Sequence, residues 1–392
     1  MSHRLLARSP DLRRLVEEGY EVEVRGGYLV VGHVPYVDTE RNAQFGELVF
    51  ELTLAGDVTT KPSDHVARFA GSTPCDAVGH PLTKIINGSG HQDMARGVSI
   101  DHTFSAKPTA PEGYSDYHHK VTTYVAMLSG HAEQIDPEAT ARTYRVIEQA
   151  DDDSPFLYLD TATPRAGLDA IAERLKLSRV AIVGTGGTGT YILDLVAKTP
   201  VREIHLYDGD RFLQHNPFRS PGATSTDDLH GGPNKANYWA SVYSRMRKNV
   251  VPHPEMVDNS NIDELFSMDF VFVAIDRGSS RRVIVTALEE RGVPFIDIGM
   301  GIYEADGLLA GAARVSVGTL GRPTDKARIP FSDGDADNEY SHNIQIADLN
   351  ALNAALAVIK WKKICGFYAD LEQEHFSAYT IAGNRLINED RG

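Results

Sequence analysis

The sequence predicts an α/β protein in two parts. A doubly wound, mostly parallel sheet is expected over residues 151–392, preceded by a smaller α+β domain over residues 1–150. Three observations carry this expectation. From residue 178 onward, short β-branched runs alternate with helix-length segments, the order that builds a parallel sheet with helices on both faces. The first of those runs ends in a glycine-rich turn that opens a helix. The first 150 residues lack this alternation and show paired strands instead. At about 150 residues per domain, a chain of 392 residues with 42% apolar and 24% charged composition is long enough for two or three cores.

The elements follow in order. PDLRRLVEE (10–18) predicts a short helix. YEVEVRGGYLVVGHV predicts two strands turning at Gly26-Gly27, a hairpin signal. FGELVFELTLAGD (45–57) alternates apolar and polar residues, as a half-buried strand does. Residues 70–118 are rich in Gly, Pro, His and Ser and predict loops with short elements. Residues 117–150 predict helix broken near Gly130 and Pro137, and DDDSP (151–155) marks the boundary. SRVAIVG then reads as a strand buried on both faces, because its apolar run is continuous. GGTGTYILDLVAKTP predicts a helix stopped by Pro200, and VREIHLYDGD a second strand with acids at its carboxyl end. NYWASVYSRMRKNV (237–250) predicts a helix and MDFVFVAID (268–276) a third strand. RRVIVTALEERG (281–292) predicts a helix capped by Gly292, and VPFIDIGM (293–300) a fourth strand. Residues 343–366 predict a long apolar helix ending at Gly366, and FSAYTIAGNRLINED a terminal hairpin.

Charge and cysteine content exclude several classes. With 39 basic against 54 acidic residues, the net charge is −15. Such a chain repels a phosphate backbone or an anionic bilayer. Two cysteines cannot build a disulfide framework. The start, MSHRLLARSPDLRR, has no apolar run of signal-peptide length, and no run of 18 apolar residues exists, so a cytoplasmic protein without membrane spans is expected.

Gly184-Thr185-Gly186-Gly187-Thr188-Gly189 is G-x-G-x-x-G directly after a strand and before a helix. Glycines there allow a tight turn and bring backbone N–H groups close to a phosphate at a helix N-terminus. No G-K-[ST] follows, which excludes a Walker-A loop. Asp208, 24 residues after Gly184, fits a ribose hydroxyl. Asp210, Asn216, Arg219, Lys235 and Asp276 then fall toward the carboxyl edge of the predicted sheet. Hydride transfer has no use for an Arg, a Lys and a further Asp around phosphates. Breaking a triphosphate does, because cations neutralise the developing charge and a carboxylate holds Mg²⁺.

These residues resemble the ThiF/MoeB superfamily, the adenylating relatives of ubiquitin-activating enzymes. The shared pattern is the glycine loop, then D-x-D (Asp208, Asp210) with Asn216 eight and Arg219 eleven residues after the first Asp, Lys235, and the strand-end Asp276. ALNAALAVIKWKKICG (351–366) is similar to the family's last long helix, so the resemblance spans about residues 155–392. It implies a Rossmann-like fold and adenylation, with ATP and Mg²⁺, of the C-terminal glycine of a ubiquitin-like or sulfur-carrier protein. By the same resemblance, Asp208 binds the ribose, Asn216, Arg219 and Lys235 hold phosphates, and Asp276 holds the metal. It further implies a homodimer in which an arginine reaches the partner's ATP, for which Arg165 is the nearest candidate. A conjugating enzyme is a further implied partner.

The sequence also departs from that family. It has no C-x-x-C pair, so no zinc is expected. Cys365 lies at the end of the apolar helix and Cys75 lies outside the adenylating region. Ser341, in the loop 320–342, stands near the family's acyl-accepting cysteine, and is a candidate acceptor or a helix cap. The acidic run DGDADN lacks the Gly and Glu of a calcium loop. In residues 1–150, His80, His91, His102, His118 and His119 lie among Asp76, Asp93, Asp101 and Asp116, without a spacing that places two ligands on one element. Two other functions fit part of the pattern. An NAD(P)-dependent oxidoreductase would prefer NADH to ATP, and a non-catalytic scaffold would bind a ubiquitin-like protein without ATP–pyrophosphate exchange.

Overall fold

The computed structural model describes residues 2–108, 113–147, 154–322, 324, 326–332 and 344–389. The chain divides into two compact units, Met1–Ala166 and Gly167–Gly392.

The first unit begins with α1 (Ser2–Arg8) and α2 (Pro10–Glu17), the latter with proline in its first turn, where no backbone donor is needed. There follow β1 (Glu21–Arg25), β2 (Tyr28–Val37), β3 (Ala43–Glu51), the small pair β4 (Leu54–Ala55) and β5 (Val58–Thr59), then β6 (Val66–Ala70), β7 (Ile86–Ala95) and β8 (Val98–Ser105). α3 (Tyr117–Ala132) and α4 (Ala162–Arg165) complete it. The sheet order is β1-β2-β3-β6-β8-β7, antiparallel throughout. Gly26 and Gly27 turn β1 into β2 with φ of 56° and 86°, the left-handed pair that a two-residue hairpin needs. Leu12 and Leu15 of α2 pack with Leu29, Phe50, Phe69 and Phe104 of the sheet and with Tyr117, Val121, Tyr124 and Leu128 of α3.

Two expectations fail in this unit. Residues 70–118, expected to be loops with short elements, hold the long β7–β8 hairpin at their centre. β7 (INGSGHQDMA) is an edge strand, exposed along most of its length and interrupted by register shifts, so it carries no alternation to read. Among the described residues of 117–150, where helix was expected, α3 is the one helix. It runs through Gly130 and stops at Ala132, where its buried stripe (Val121, Val125, Leu128, Ala132) gives out.

The second unit contains α5 (Asp169–Ala172), β9 (Arg179–Val183), α6 (Gly187–Val196), β10 (Glu203–Tyr207), α7 (Lys235–Tyr243), β11 (Val250–His253), β12 (Phe270–Val273), α8 (Gly278–Arg291), β13 (Phe295–Ala305), β14 (Leu308–Gly318), α9 (Ala347–Ile364), β15 (Phe376–Thr380) and β16 (Arg385–Glu389). Its sheet runs β11-β10-β9-β12-β13-β14-β15-β16. The first five strands are parallel and the last three antiparallel. In chain order those five read third, second, first, fourth, fifth, which is a doubly wound, Rossmann-like sheet. Successive residues of β9 serve two cores. Val180 and Ile182 pack with α6, α7 and Trp361 of α9, while Ala181 and Val183 pack with Ile284, Val285 and Leu288 of α8. Each large apolar side chain so buried contributes about 1.5–3 kcal/mol. Gly292 caps α8 at φ 68°, as expected. Among the described residues, no helix is long and apolar enough to cross a membrane.

The helix expected to reach residue 250 ends at Tyr243. Arg247, within the segment expected to be helical, is fully buried. Its guanidinium donates to the carbonyls of Ala197 (3.2 Å), Thr199 (3.4 Å) and Val201, closing the C-terminal end of α6. Burial lowers its pKa to about 10. The chain then turns at Asn249 (φ 60°) into β11, which the sequence pattern did not reveal.

Candidate active site

The glycine loop shows why each glycine is there. Gly184 leaves β9 at φ 90°, and a Cβ on it would lie 2.5 Å from the Ala274 carbonyl oxygen. A Cβ on Gly187 would meet Asn350 Nδ2 at 2.0 Å, and one on Gly189 would meet the Gly184 carbonyl oxygen at 1.9 Å. Gly186 differs: nothing lies within 4 Å of its Cβ position. A ligand can therefore approach the backbone at the point where α6 begins, with its unpaired N–H groups and positive dipole end.

Asp208, just past β10, is buried and braces this loop. Its Oδ2 accepts from Thr185 N (2.7 Å) and Thr185 Oγ1 (3.1 Å), and its Oδ1 accepts from Asp210 N (2.9 Å). Lys235 opens α7 behind an Asn234 cap, and its Nζ donates to Asp210 Oδ2 at 2.7 Å and lies 4.0 Å from Asp208 Oδ1. Arg219 ends the turn Pro217–Arg219. Its Nε is buried with no hydrogen-bond partner among the described residues, so the guanidinium has a donor left for a ligand. Its carbonyl accepts from Asn350 Nδ2 (3.2 Å), whose amide oxygen accepts from Thr188 Oγ1 (2.9 Å).

These groups border one cavity of about 1010 Å³ at the carboxyl ends of the parallel strands. Of the residues expected from sequence, it is lined by Gly184, Gly186, Gly187, Asp208, Asp210, Arg219, Lys235 and Asp276. Gly189 and Asn216 do not line it. Gly189 makes the close contact between helix and turn, and Asn216 holds the backbone N–H of Leu213 at 2.7 Å through Oδ1 while its buried Nδ2 finds no partner among the described residues. Arg165 ends α4, exposed, in the first unit. Ser341 lies outside the described residues.

Sequence reasoning missed the cavity's inner charge cluster. Asp297 of β13 is fully buried between two arginines. Its Oδ2 accepts from Arg314 of β14 at 2.7 Å, and its Oδ1 lies 3.0 Å from Nε of Arg281 on α8. Arg281 also donates to the carbonyls of Pro330 (3.1 Å) and Ile275. Burial lowers its pKa, opposed by the nearby Asp297 charge. Both arginines line the cavity, so one buried acid holds two cations there. A signal existed: Asp297 interrupts the apolar run VPFIDIGM, and a charge in a strand buried on both faces requires a partner.

The histidines of the first unit serve local structure. His91 Nδ1 pairs with Asp101 Oδ1 at 2.9 Å, His102 Nδ1 with Ser89 Oγ at 2.8 Å, and His118 Nε2 with Glu18 Oε1 at 3.1 Å. Asp116 caps α3 through the N–H of His119. Cys75 is buried beside Val37, Ala132 and Ala139, and burial, with the Asp76 and Asp38 charges, raises its pKa. Burial raises that of Cys365 to about 11. Neither thiol is a ready nucleophile.

Residues 160–309 match the ThiF family, and residues 10–161 match a domain of unknown function, DUF6791. Solved structures similar to the chain include E. coli MccB with ATP (19% identity over 59% of this chain and 68% of that chain, TM-score 0.47). E. coli MccB with MccA-N7isoASN gives 19% identity, 59% and 68% coverage and a TM-score of 0.46. PaaA gives 22% identity, 56% and 75% coverage and 0.45. No curated protein matches the chain. The second unit thus resembles the ThiF/MoeB superfamily, with its ThiF-family match at residues 160–309.

Proposed function

We propose that the second unit adenylates the C-terminal glycine of a ubiquitin-like or sulfur-carrier protein. The observation that carries this reading is the convergence on one cavity of an open helix N-terminus at Gly186, the cations Arg219 and Lys235, and the carboxylate Asp276. The carrier's carboxylate oxygen attacks the α-phosphorus of ATP. The bond from that phosphorus to the bridging oxygen breaks, pyrophosphate leaves, and a mixed anhydride with AMP remains. No protein nucleophile is required, because positioning and charge stabilisation carry such transfers. The backbone N–H groups at the start of α6, with Arg219 and Lys235, take up charge on the phosphates. Asp208 holds the loop and offers its remaining lone pair to the ribose. Asp276 is exposed, borders the cavity and makes no ion pair among the described residues, which suits a Mg²⁺ ligand. Bound Mg²⁺ supplies charge neutralisation on the phosphate oxygens. Arg165 as a contribution to a second protomer, and Ser341 as an acyl acceptor, belong to the same proposal.

The experiment is incubation with Mg-ATP and a candidate carrier, with mass spectrometry for AMP on the carrier's C-terminus. Binding of the carrier without an adduct and without ATP–pyrophosphate exchange would favour the scaffold reading, and preference for NADH the oxidoreductase. Within the site, Arg219→Ala and Lys235→Ala are each expected to slow adenylate formation about 10²–10³-fold, the scale for losing one preorganised charge. A rate unchanged in single-turnover assays would remove that residue from the phosphate-binding set.

A further inference from the structure

At the sheet edge beside the nucleotide cavity, a second set of titratable groups meets. Glu203, His205 and Tyr207 lie on β10, His253 ends β11, Glu255 follows it, and Glu264 lies in the turn Ile262–Ser267. Tyr207 pairs with His253 in register, and their rings stack at 4.0 Å. His205 Nε2 is 3.3 Å from Glu203 Oε2, and His205 Nδ1 is 3.0 Å from His253 Nε2. Tyr207 donates its hydroxyl to Glu264 Oε2 at 3.0 Å, and His253 Nδ1 lies 3.3 Å from the same oxygen. His253, Glu255 and Glu264 each bring a ligand atom within 4.8 Å of the others.

The protons do not suffice for this chain. A neutral imidazole has one N–H. If His205 donates to Glu203, its Nδ1 is a lone pair that accepts the N–H of His253 Nε2. His253 has then used its only N–H, and a bare Nδ1 faces the Glu264 carboxylate. Reversing both tautomers moves the same conflict to Glu203. Two neutral rings between two carboxylates therefore lack one positive charge. A cation on His253 Nδ1 provides it, with the other ring nitrogen anchored as ligating histidines usually are.

We propose that His253, through Nδ1, and the carboxylates of Glu255 and Glu264 bind one divalent transition-metal ion of the zinc type, with His205 and Glu203 fixing the tautomer of His253. One imidazole with two carboxylates suits such an ion better than Ca²⁺ or Mg²⁺, which take oxygen ligands. Three protein ligands leave a position for water. The expectation that no zinc is bound concerned cysteine ligands and does not reach this set. Tyr207, Met256 and Val257 line the nucleotide cavity, so the ion ties one wall of that cavity to the turn at 262–267.

The test is titration of the metal-stripped full chain with ZnCl₂ by calorimetry, with bound metal counted after dialysis. His253→Ala, and separately the exposed Glu255→Gln, should each bind one equivalent fewer than the wild type. His205→Ala should retain the site with about 10–100-fold weaker affinity, the usual effect of losing a support behind a ligating histidine. Equal stoichiometry in wild type and Glu255→Gln, with both folded by circular dichroism, overturns the proposal. So does a wild type that takes up no zinc; an imidazolium of the His205–His253 pair, seen by NMR at neutral pH, would then be the source of the missing charge.

Discussion

Asp276→Asn should abolish ATP–pyrophosphate exchange in a chain that still folds. The side chain lies just beyond β12, exposed, at the edge of the cavity. It makes no hydrogen bond or ion pair within the described residues that the substitution would break, so a stability change within about ±0.5 kcal/mol is expected, as for an ordinary surface site. The amide is isosteric but neutral, and a hard cation binds it more weakly than a carboxylate. The loss should be at least about 10²–10³-fold, the scale of one removed charge-stabilising group. Pyrophosphate exchange at the wild-type rate would take Asp276 out of the mechanism. It would leave the readings of Arg219 and Lys235 to stand on their own variants.

Asp297→Asn should act on the fold. The carboxylate is fully buried and serves both Arg281 and Arg314. Removing its charge leaves the buried Arg281 and the partly buried Arg314 without that counter-ion, and breaking a buried pair from one side costs about 3–5 kcal/mol. Urea unfolding, followed by the fluorescence of Trp239 and Trp361 in the second unit, should show the unfolding free energy fall by that amount, with a lower midpoint at unchanged slope. A loss below about 1 kcal/mol would mean that water or Asp276 screens the arginines.

The parallel core was legible because its strands are buried on both faces and therefore read as unbroken apolar runs bounded by glycines and acids. Val180 to Val183 are a clear instance. The glycine loop and its partners were legible because steric limits leave little choice: a side chain at Gly184, Gly187 or Gly189 would collide with backbone or with Asn350. What escaped has the opposite physics. β7 lies at an edge and solvent asks no pattern of it. β11 is four residues long and follows a stretch of helix-forming residues diverted by the buried Arg247. Asp297, Arg281 and Arg314 come from three elements, and only the folded chain brings them together. Asn216 matched the family spacing, yet its carboxamide oxygen is spent on the local turn at Leu213.

Asn350 gives the site a property that no single residue lining the cavity has. It sits on α9, the last long helix, and one carboxamide grips Thr188 at the start of α6 with its oxygen and the Arg219 carbonyl with its nitrogen. The two parts of the site proposed to hold phosphates come from separate loops, but they are geared to a common shaft. A displacement of α9 cannot alter the position of one without altering the other. If the site adenylates as proposed, changes on that helix, including those far from the cavity, reach ground-state grip on ATP and charge stabilisation in the transition state together, and kcat and KM should move as a pair rather than one at a time.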